Sequence, residues 1–243
     1  MKPYDITITR ADALDCAVEP VDWRFARDRE AEIARHWSGL VAERPRMFDG
    51  RVLLSHRDAI AREDGRAVLR AASFEVNFSA FVAWRDFGFP DPGVRNIFAM
   101  AALRGNDGGF VLAQMGAHTA NAGLVYFPAG TPDPGDVRGD RLDLEGSVVR
   151  ELAEETGLLA HEVRFAPDWL IVDAGPRLAC MKIVDIDLPS REAAREIEGR
   201  IATQHDAELA GMRAVRNLAE AEAARPLDFV AAFLRRALDE RPG

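Results

Sequence analysis

Residues 144–158 read LEGSVVRELAEETGL, and the interpretation of the whole chain starts from this stretch. The apolar side chains of Val148 and Leu152 recur at helical spacing and would pack one helix face against a sheet. Asp143 is a favourable N-cap residue, and Gly157 can adopt the left-handed conformation that ends many helices. The stretch therefore predicts a helix with one buried face.

Three carboxylates share another face of this predicted helix. Glu151, Glu154 and Glu155 stand at positions i, i+3 and i+4, and because each helical residue turns by about 100°, their side chains point the same way. Like charges this close destabilise a helix unless something neutralises them. A hard divalent cation such as Mg²⁺, with Mn²⁺ as a substitute, suits oxygen ligands. The pattern predicts a metal site, although an arbitrary E-x-x-E-E is more often a solvated helix face.

The stretch resembles the second half of the Nudix box, G-x5-E-x7-R-E-U-x-E-E-x-G-U, in which U is aliphatic. Every specified position from Arg150 to Leu158 matches. The first half departs from the pattern, because Gly130 is followed five residues later by Asp136 instead of Glu. Residues 137–149 then take the place of the usual seven, so we interpret VRGDRL (137–142) as a six-residue loop insertion, which a surface loop tolerates at small entropic cost. The resemblance implies a Nudix hydrolase with a variant box.

The resemblance also implies roles for individual residues. Glu154 and Glu155 would be the main metal ligands, and Glu151 would be a further ligand or the base that orients the attacking water. The backbone carbonyl of Ala129 would be another ligand, and Arg150 would hold the glutamates in place. A further carboxylate often comes from a later loop in this family, and Glu208 is the candidate, with an exposed position at a strand start as the equal alternative.

The remaining predicted elements follow from periodicity and turn signals. Strands are predicted at residues 4–10, 51–56, 67–76, 96–105, 109–116, 122–127, 169–175, 177–188 and 208–215. Helices are predicted at residues 22–43, 78–87, 144–157, 190–203 and 227–240. Strands mixed with few helices indicate an α/β (α+β) layered fold, and the resemblance implies the Nudix α/β/α sandwich with a mixed sheet.

A Gly- and Pro-rich segment, FGFPDPG (87–93), divides the chain. We predict an N-terminal α/β extension at residues 1–93, which would serve substrate specificity or dimerisation. The Nudix hydrolase domain would occupy residues 94–243. The family resemblance also allows a homodimer.

The substrate implied by the resemblance is a small-molecule nucleotide, a nucleoside diphosphate derivative with a diphosphate linkage. Residues 36–56 weakly resemble the entry segment of UDP-glucose-cleaving Nudix proteins, which favours a nucleotide sugar, although Pro45, Phe48 and Gly50 would also suit an ordinary turn. Candidate substrate-binding residues lie before and within the box: Gly130, Asp136, His118, Asn121 and Arg95. For a loop residue such as His118 or Asn121, turn chemistry is the commoner role, and for Arg95 a surface salt bridge is.

Composition excludes several classes of function. The formal net charge of −9 provides no broad positive field for non-specific binding of nucleic acid. No apolar run approaches the length of a membrane span, and residues 1–15 lack a secretory signal pattern, so we expect a cytoplasmic protein without a membrane partner. Cys16 and Cys180 have neither zinc-site nor disulfide spacing.

Three alternatives stay open at this point. The chain could be a catalytically inactive Nudix-like nucleotide-binding module, because the first half of the box is altered. The match could be accidental in a non-enzymatic α/β protein. An isopentenyl-diphosphate-isomerase-like enzyme would need catalytic Cys and Glu residues in particular positions, and neither cysteine lies in a matching motif.

Overall fold

The computed structural model describes residues 4–117, 119, 121–204 and 207–239. Within these ranges the strands are β1 (Thr7–Ala11), β2 (Ala13–Val18), β3 (Arg51–Glu63), β4 (Arg66–Asn77), β5 (Asn96–Gly105), β6 (Phe110–Met115), β7 (Val125–Tyr126), β8 (Val137–Arg138), β9 (Arg141–Leu142), β10 (Val163–Phe165), β11 (Trp169–Ala174), β12 (Arg177–Ile186) and β13 (Leu209–Val215). The helices are α1 (Arg24–Asp28), α2 (Glu30–Glu43), α3 (Phe78–Asp86), α4 (Leu144–Thr156), α5 (Ser190–Ile201), α6 (Leu218–Ala224) and α7 (Asp228–Asp239). No helix in the described ranges is both long and apolar enough to cross a membrane.

The larger sheet is mixed, as the sequence predicts. Its described strands follow the order β1-β11-β12-β5-β6-β13, with β7 paired to β6 and β10 paired to β12. Strands β5 and β12 run parallel from the pair Asn96 and Arg177 to the pair Gly105 and Ile186. The other pairings in this sheet are antiparallel. Two long buried strands at the centre provide a rigid base for the loops at their ends.

Helices cover both faces of this sheet. Successive strand residues point to opposite faces, so Phe98 and Ala101 on β5 face opposite ways. The Phe98 ring packs against Phe229 of α7, with ring centroids 5.8 Å apart. Ala101 pairs with Lys182 of β12, whose ammonium nitrogen lies 3.3 Å from Glu145 of α4. Helices α4 and α7 therefore enclose the sheet, and the α/β/α sandwich is confirmed.

A smaller sheet, in the order β3-β4-β2-β9-β8, lies beside the larger one. Strands β2, β3 and β4 come from residues 1–93, but β8 and β9 belong to the predicted insertion at residues 137–142. Conversely, β1 from residues 1–93 pairs along β11 of the larger sheet. The boundary at residue 93 stays a prediction. Each sheet contains strands from both sides of it.

Several predicted elements need correction. The helix predicted at residues 22–43 is interrupted at Arg29 (φ −116°, ψ 21°), whose guanidinium lies over the rings of Phe25 and Phe87. The insertion predicted as a loop forms the β8–β9 hairpin. Strand β2 and helix α6 were not predicted, because their short segments show no clear periodicity.

The box helix α4 forms as the sequence predicts. The Asp143 side chain accepts a hydrogen bond from the Gly146 N–H at 2.8 Å, which satisfies one of the free amides at the helix N-terminus. Gly157 ends the helix in the left-handed conformation, with φ of 72°. Leu152 and Val148 are buried against the sheet. The glutamates of α4 are thereby held on a helix whose two ends are both determined by its own sequence.

Candidate active site

An open pocket of about 760 Å³ lies beside α4. Eight of the residues singled out from the sequence line it: Ala129, Gly130, Asn121, Arg150, Glu151, Glu154, Glu155 and Glu208. The pocket also receives Arg46, Met47, Val52 and Phe78 from the N-terminal extension. Residues far apart in the sequence therefore meet at one carboxylate-rich surface.

Glu155 is the most deeply placed of these glutamates. Its residue is 7% exposed, and its Oε2 atom is buried without a hydrogen-bond partner among the described residues. Burial, followed by the charges of Glu151 and Glu208, raises the pKa of Glu155 to about 9, although hydrogen bonding from the Ala129 backbone opposes this rise. A bound cation would offset this burial and repulsion and so stabilise the ionised form of Glu155.

The Glu151 carboxylate packs against the backbone at Gly130. A Cβ atom added to Gly130 would lie 2.2 Å from Glu151 Oε1, well inside contact distance. Burial raises the pKa of Glu151 to about 7, the Arg150 charge acts in the opposite direction, and the Glu154 and Asp136 charges add to the rise. The glycine at position 130 is therefore required for space, because any side chain there would displace Glu151.

Arg150 bridges three carboxylates. Its Nη2 atom donates to both oxygens of Asp136, at 3.0 and 3.1 Å. Its Nη1 atom lies 2.9 Å from Glu151 Oε1 and donates to Glu154 Oε2 at 3.0 Å. Although burial acts to lower it, these neighbouring carboxylates raise the pKa of Arg150 above its usual range. Arg150 therefore links the three carboxylates of Asp136, Glu151 and Glu154.

The donor set fits a hard divalent cation. In the described ranges no three acidic, histidine or cysteine side chains enclose an ion as they stand, and Arg150 engages Glu151 and Glu154 in ion pairs. The buried Oε2 atom of Glu155, however, has no hydrogen-bond partner in the part of the chain that the structure describes, and it lies among further carboxylates. Oxygen ligands of this kind are those that Mg²⁺ and Mn²⁺ prefer.

Two candidate substrate residues lie elsewhere. Asp136 is 3% exposed and is engaged by Arg150 beneath the helix, outside the pocket wall. Arg95 forms ion pairs with Asp58 at 2.8 Å and Asp173 at 2.6 Å, and it is also absent from the pocket wall. Asp136 is thus engaged by Arg150, and Arg95 is engaged by Asp58 and Asp173. Neither side chain is directed to the pocket wall. His118 lies outside the described residues.

Sequence reasoning missed several residues that line the pocket. The hydroxyl of Tyr126 accepts a hydrogen bond from Asn121 Nδ2 at 3.0 Å, and burial raises its pKa well above the usual value. Tyr126 lies four residues before Gly130, so its proximity to the box is a signal that could have identified it. Phe78 carries no such signal, because only tertiary packing brings it to the pocket.

Comparisons with known proteins were made for the sequence and for the structure. The NUDIX domain family model matches residues 94–237. No match was found among curated proteins. Similar solved structures include a Nudix hydrolase from M. smegmatis, RenU, with 17% identity over 60% of this chain and 86% of that chain, at a TM-score of 0.38. The C. elegans Ap4A hydrolase binary complex shows 16% identity over 57% and 93%, at a TM-score of 0.41. The NUDIX domain of Shewanella oneidensis NrtR, complexed with ADP ribose, shows 20% identity over 60% and 88%, at a TM-score of 0.39.

The match to the family model spans more than half of the chain, and the chain belongs to the Nudix family. It is a hydrolase of the Nudix class, whose general activity is the hydrolysis of pyrophosphate linkages.

Proposed function

We propose that this enzyme hydrolyses the P–O–P linkage of a nucleoside diphosphate derivative, with Mg²⁺ as its cofactor and Mn²⁺ as a substitute. One observation carries the proposal: the buried Oε2 atom of Glu155, which has no hydrogen-bond partner among the described residues, lies among Glu151, Glu154 and Glu208 at the wall of an open pocket. Such a surface would repel a diphosphate by itself, so an anionic substrate fits it only together with a divalent cation.

The pocket residues would bind the cation and hold its ligands in position. Glu154, Glu155 and Glu151, with the carbonyl of Ala129, would hold the cation, and Glu208 would complete the ring of carboxylates. When bound, the cation supplies Lewis-acid neutralisation of the phosphate oxygens. Arg150 would keep Glu151 and Glu154 in position through the ion pairs described above.

The reaction itself is a displacement at phosphorus. A water oxygen forms a bond to one phosphorus, and the bond from that phosphorus to the bridging oxygen breaks. The proton of the water passes to a pocket carboxylate, for which Glu151 and Glu208 are the candidates, and the bridging oxygen leaves with the other phosphate. The products are a nucleoside monophosphate and the phosphorylated remainder.

A nucleotide sugar is the narrower substrate that we propose. Residues 36–56 carry the resemblance to UDP-glucose-cleaving relatives, and within this segment Arg46, Met47 and Val52 line the pocket. The placement of that segment beside the box helix supports a role in substrate choice. The C. elegans Ap4A hydrolase and the NrtR domain complexed with ADP ribose are similar in structure to this chain, and a dinucleoside polyphosphate and ADP-ribose are included in the test.

The test is a hydrolysis assay on the full chain. UDP-glucose, ADP-ribose, NADH, a dinucleoside polyphosphate and a nucleoside triphosphate are incubated with Mg²⁺ or Mn²⁺, and products are separated by chromatography. We expect Glu155→Gln to lower kcat by at least about 100-fold, because several kcal/mol of charge stabilisation at the phosphates are lost and 1.4 kcal/mol is a factor of ten. Glu222→Gln, an exposed position outside the pocket, is the control and should keep full activity.

The outcomes separate the alternatives. Full turnover by Glu155→Gln would contradict the proposal. Nucleotide binding without cleavage by the wild-type protein would instead support the catalytically inactive binding module. We expect Glu155→Gln also to raise the melting temperature of the metal-free protein at neutral pH, because burial and the neighbouring carboxylates disfavour the ionised form of Glu155 and a neutral amide avoids that cost.

Location and assembly are proposals drawn from the family resemblance. We propose a cytoplasmic enzyme that binds small nucleotides and not nucleic acid, and that forms a homodimer. Light scattering on the purified chain measures the mass directly, and a monomer at all concentrations would contradict the homodimer.

A further inference from the structure

A second cavity, of about 320 Å³, adjoins the carboxylate pocket. The two share the wall formed by Asn121, Tyr126 and residues 129–131. We infer that this chamber holds the nucleobase of the substrate, and that α3 of the N-terminal extension forms one of its walls. The inference rests on the proposed function and deepens it, because it assigns the part of the substrate that the phosphate site does not recognise.

The chamber is lined mainly by flat or unbranched apolar side chains. Phe81 comes from α3, Phe98 and Met100 come from β5, and Phe229 comes from α7. A planar ring can bury both of its faces against such walls, and stacking on aromatic side chains accepts any base. A sugar would have to bury hydroxyl groups against the same apolar surface, which is unfavourable without hydrogen-bond partners. The walls therefore favour the base over the sugar of a nucleotide.

One edge of the chamber carries polar atoms without hydrogen-bond partners among the described residues. Asn96 and Arg177 are direct neighbours across β5 and β12, and both line the cavity. Asn96 Oδ1 and Arg177 Nε are buried, and neither atom has a hydrogen-bond partner among the described residues. The Arg177 guanidinium lies 3.9 Å from the Asp228 carboxylate, at the limit of an ion pair. Buried polar atoms are rarely left without partners.

The chemistry of this edge matches that of a nucleobase. An unsatisfied acceptor on Asn96 stands beside an unsatisfied donor on Arg177, and every nucleobase presents donors and acceptors side by side on its rim. The Arg177 guanidinium also lies 5.5 Å from the centroid of the Phe229 ring, so a cationic group is already held beside an aromatic face.

The chamber and the carboxylate pocket lie side by side, as the base and the phosphates of a nucleotide would require. The shared wall at residues 129–131 includes Gly130, which packs against the Glu151 carboxylate. A base in the chamber would therefore direct its phosphates across Gly130 towards the glutamates of α4. The extension would act in base recognition through Phe81 and Arg85.

The test compares ligands that differ in the base. Binding of UMP and AMP, and of the baseless ribose 5-phosphate and glucose 1-phosphate, is measured by calorimetry on the full chain. We expect the wild-type protein to bind at least one nucleoside monophosphate about tenfold or more tightly than ribose 5-phosphate, as expected from base stacking. Arg177→Gln, and Arg85→Gln at the partly exposed rim, should each remove most of that difference.

A matched control lies on the same pair of strands. Arg104 and Asp185 pair at 2.7 Å at the opposite end of β5 and β12, away from either cavity. Arg104→Gln should keep the preference for a base. Equal affinity for ligands with and without a base would overturn the inference, as would weakening of UMP and ribose 5-phosphate to the same degree by both chamber variants. These readouts need no turnover, so failure of the hydrolysis assay and failure of this inference are separate results.

Discussion

At the scale of single residues, Arg150 and Gly130 determine where the glutamates of the pocket lie. Arg150 holds Glu151 and Glu154 from one side, and it is itself fixed by two bonds to the buried Asp136 carboxylate. Gly130 leaves the space that the Glu151 carboxylate fills. The position of Glu151 is thus determined by a charge on one side and by the absence of a side chain on the other.

Gly130→Ala should impair catalysis much more than it impairs folding. The added Cβ would lie 2.2 Å from Glu151 Oε1, and the mobile end of that side chain can move away while the backbone stays in place. We expect kcat to fall by about tenfold or more, because misplaced catalytic groups lose much of their effect, with a melting temperature close to that of the wild type.

The control for this substitution is Gly199→Ala. Gly199 lies in α5, and an added Cβ there meets nothing within 4 Å. This variant should keep its activity and gain up to about 1 kcal/mol of unfolding free energy from the better helix propensity of Ala. Unchanged kcat in Gly130→Ala would show that the position of Glu151 does not matter.

Asp136→Asn tests the residue at which the box departs from the family pattern. The Asp136 carboxylate is buried and accepts two charge-assisted bonds from Arg150. We expect a loss of about 1–3 kcal/mol of unfolding free energy in denaturant titrations. Glu154→Gln also removes an ion pair with Arg150, but the Glu154 side chain is 60% exposed. We therefore expect this variant to lose no more than about 0.5 kcal/mol of unfolding free energy. Equal losses would argue against a structural role for Asp136.

At the scale of elements, the C-terminal end of α4 is tied to α5. Arg200 of α5 donates to the Gly157 carbonyl oxygen at 2.7 Å and pairs with Glu162 at 2.7 Å. Glu162 also accepts from the Leu159 N–H at 2.7 Å. A carbonyl at a helix end needs such a partner, so these contacts stabilise the end of the helix that carries the glutamates.

This junction predicts a dependence of stability on pH. The hydrogen bonds from Arg200 and Leu159, with a smaller contribution from the His161 charge, lower the pKa of Glu162 from 4.5 to about 2. Because the folded-state pKa lies below the unfolded one, the stabilisation is fully present above about pH 4.5 and is lost as the pH falls towards 2. The nearby Glu196 also pairs with Arg200, so it remains as a second partner.

The measurement is the difference in unfolding free energy between the wild type and Glu162→Gln across pH. We expect a constant difference above about pH 5 that shrinks between pH 4.5 and pH 2, as linkage requires. Carboxylates other than Glu196, which shares Arg200 with Glu162, titrate equally in both proteins, so their contributions cancel in the difference. A difference that does not change with pH would contradict the assignment.

The β8–β9 hairpin shows what the insertion in the box becomes at this scale. Its Asp140 carbonyl oxygen accepts a hydrogen bond from the Val18 N–H at 2.8 Å, and Arg141 pairs with Asp15 at 2.9 Å. Leu142 is buried in the main core. The insertion is therefore an edge hairpin that attaches the loop before α4 to the smaller sheet.

At the scale of the whole molecule, residues 1–93 and the family domain share one hydrophobic core. Ala11, Cys16, Leu53 and Leu69 belong to the same buried cluster as the strands of the larger sheet. A second cluster, around Trp84 and Phe74, is formed by residues of the extension together with Val94. The extension therefore has a small core of its own and also covers part of the main one.

A fragment of residues 94–243 should consequently be unstable. It lacks the partner strand of β11, and it lacks Leu53 and Leu69, whose burial contributes about 1.5–3 kcal/mol each. We expect poor solubility or a melting temperature far below that of the full chain, and recovery when residues 1–93 are co-expressed. A fragment that unfolds cooperatively with the stability of the full chain would show that residues 1–93 are dispensable.

The sequence by itself determined the box helix, its ends and the chemistry of its exposed face. These features depend on residues within one or two turns of each other, and local periodicity and capping residues can be identified directly in a sequence. The family followed from the same stretch, since Arg150 to Leu158 match at every specified position.

Only the tertiary structure decided which distant residues complete the pocket. Glu208 is an exposed residue directly before β13 and also lines the pocket, whereas Arg95 is held by Asp58 and Asp173 away from it. Phe81 and Arg177, which line the base chamber, lie almost a hundred residues apart and show no joint pattern. The physical reason is that strand pairing and burial between distant segments depend on the whole core, and no local spacing records them.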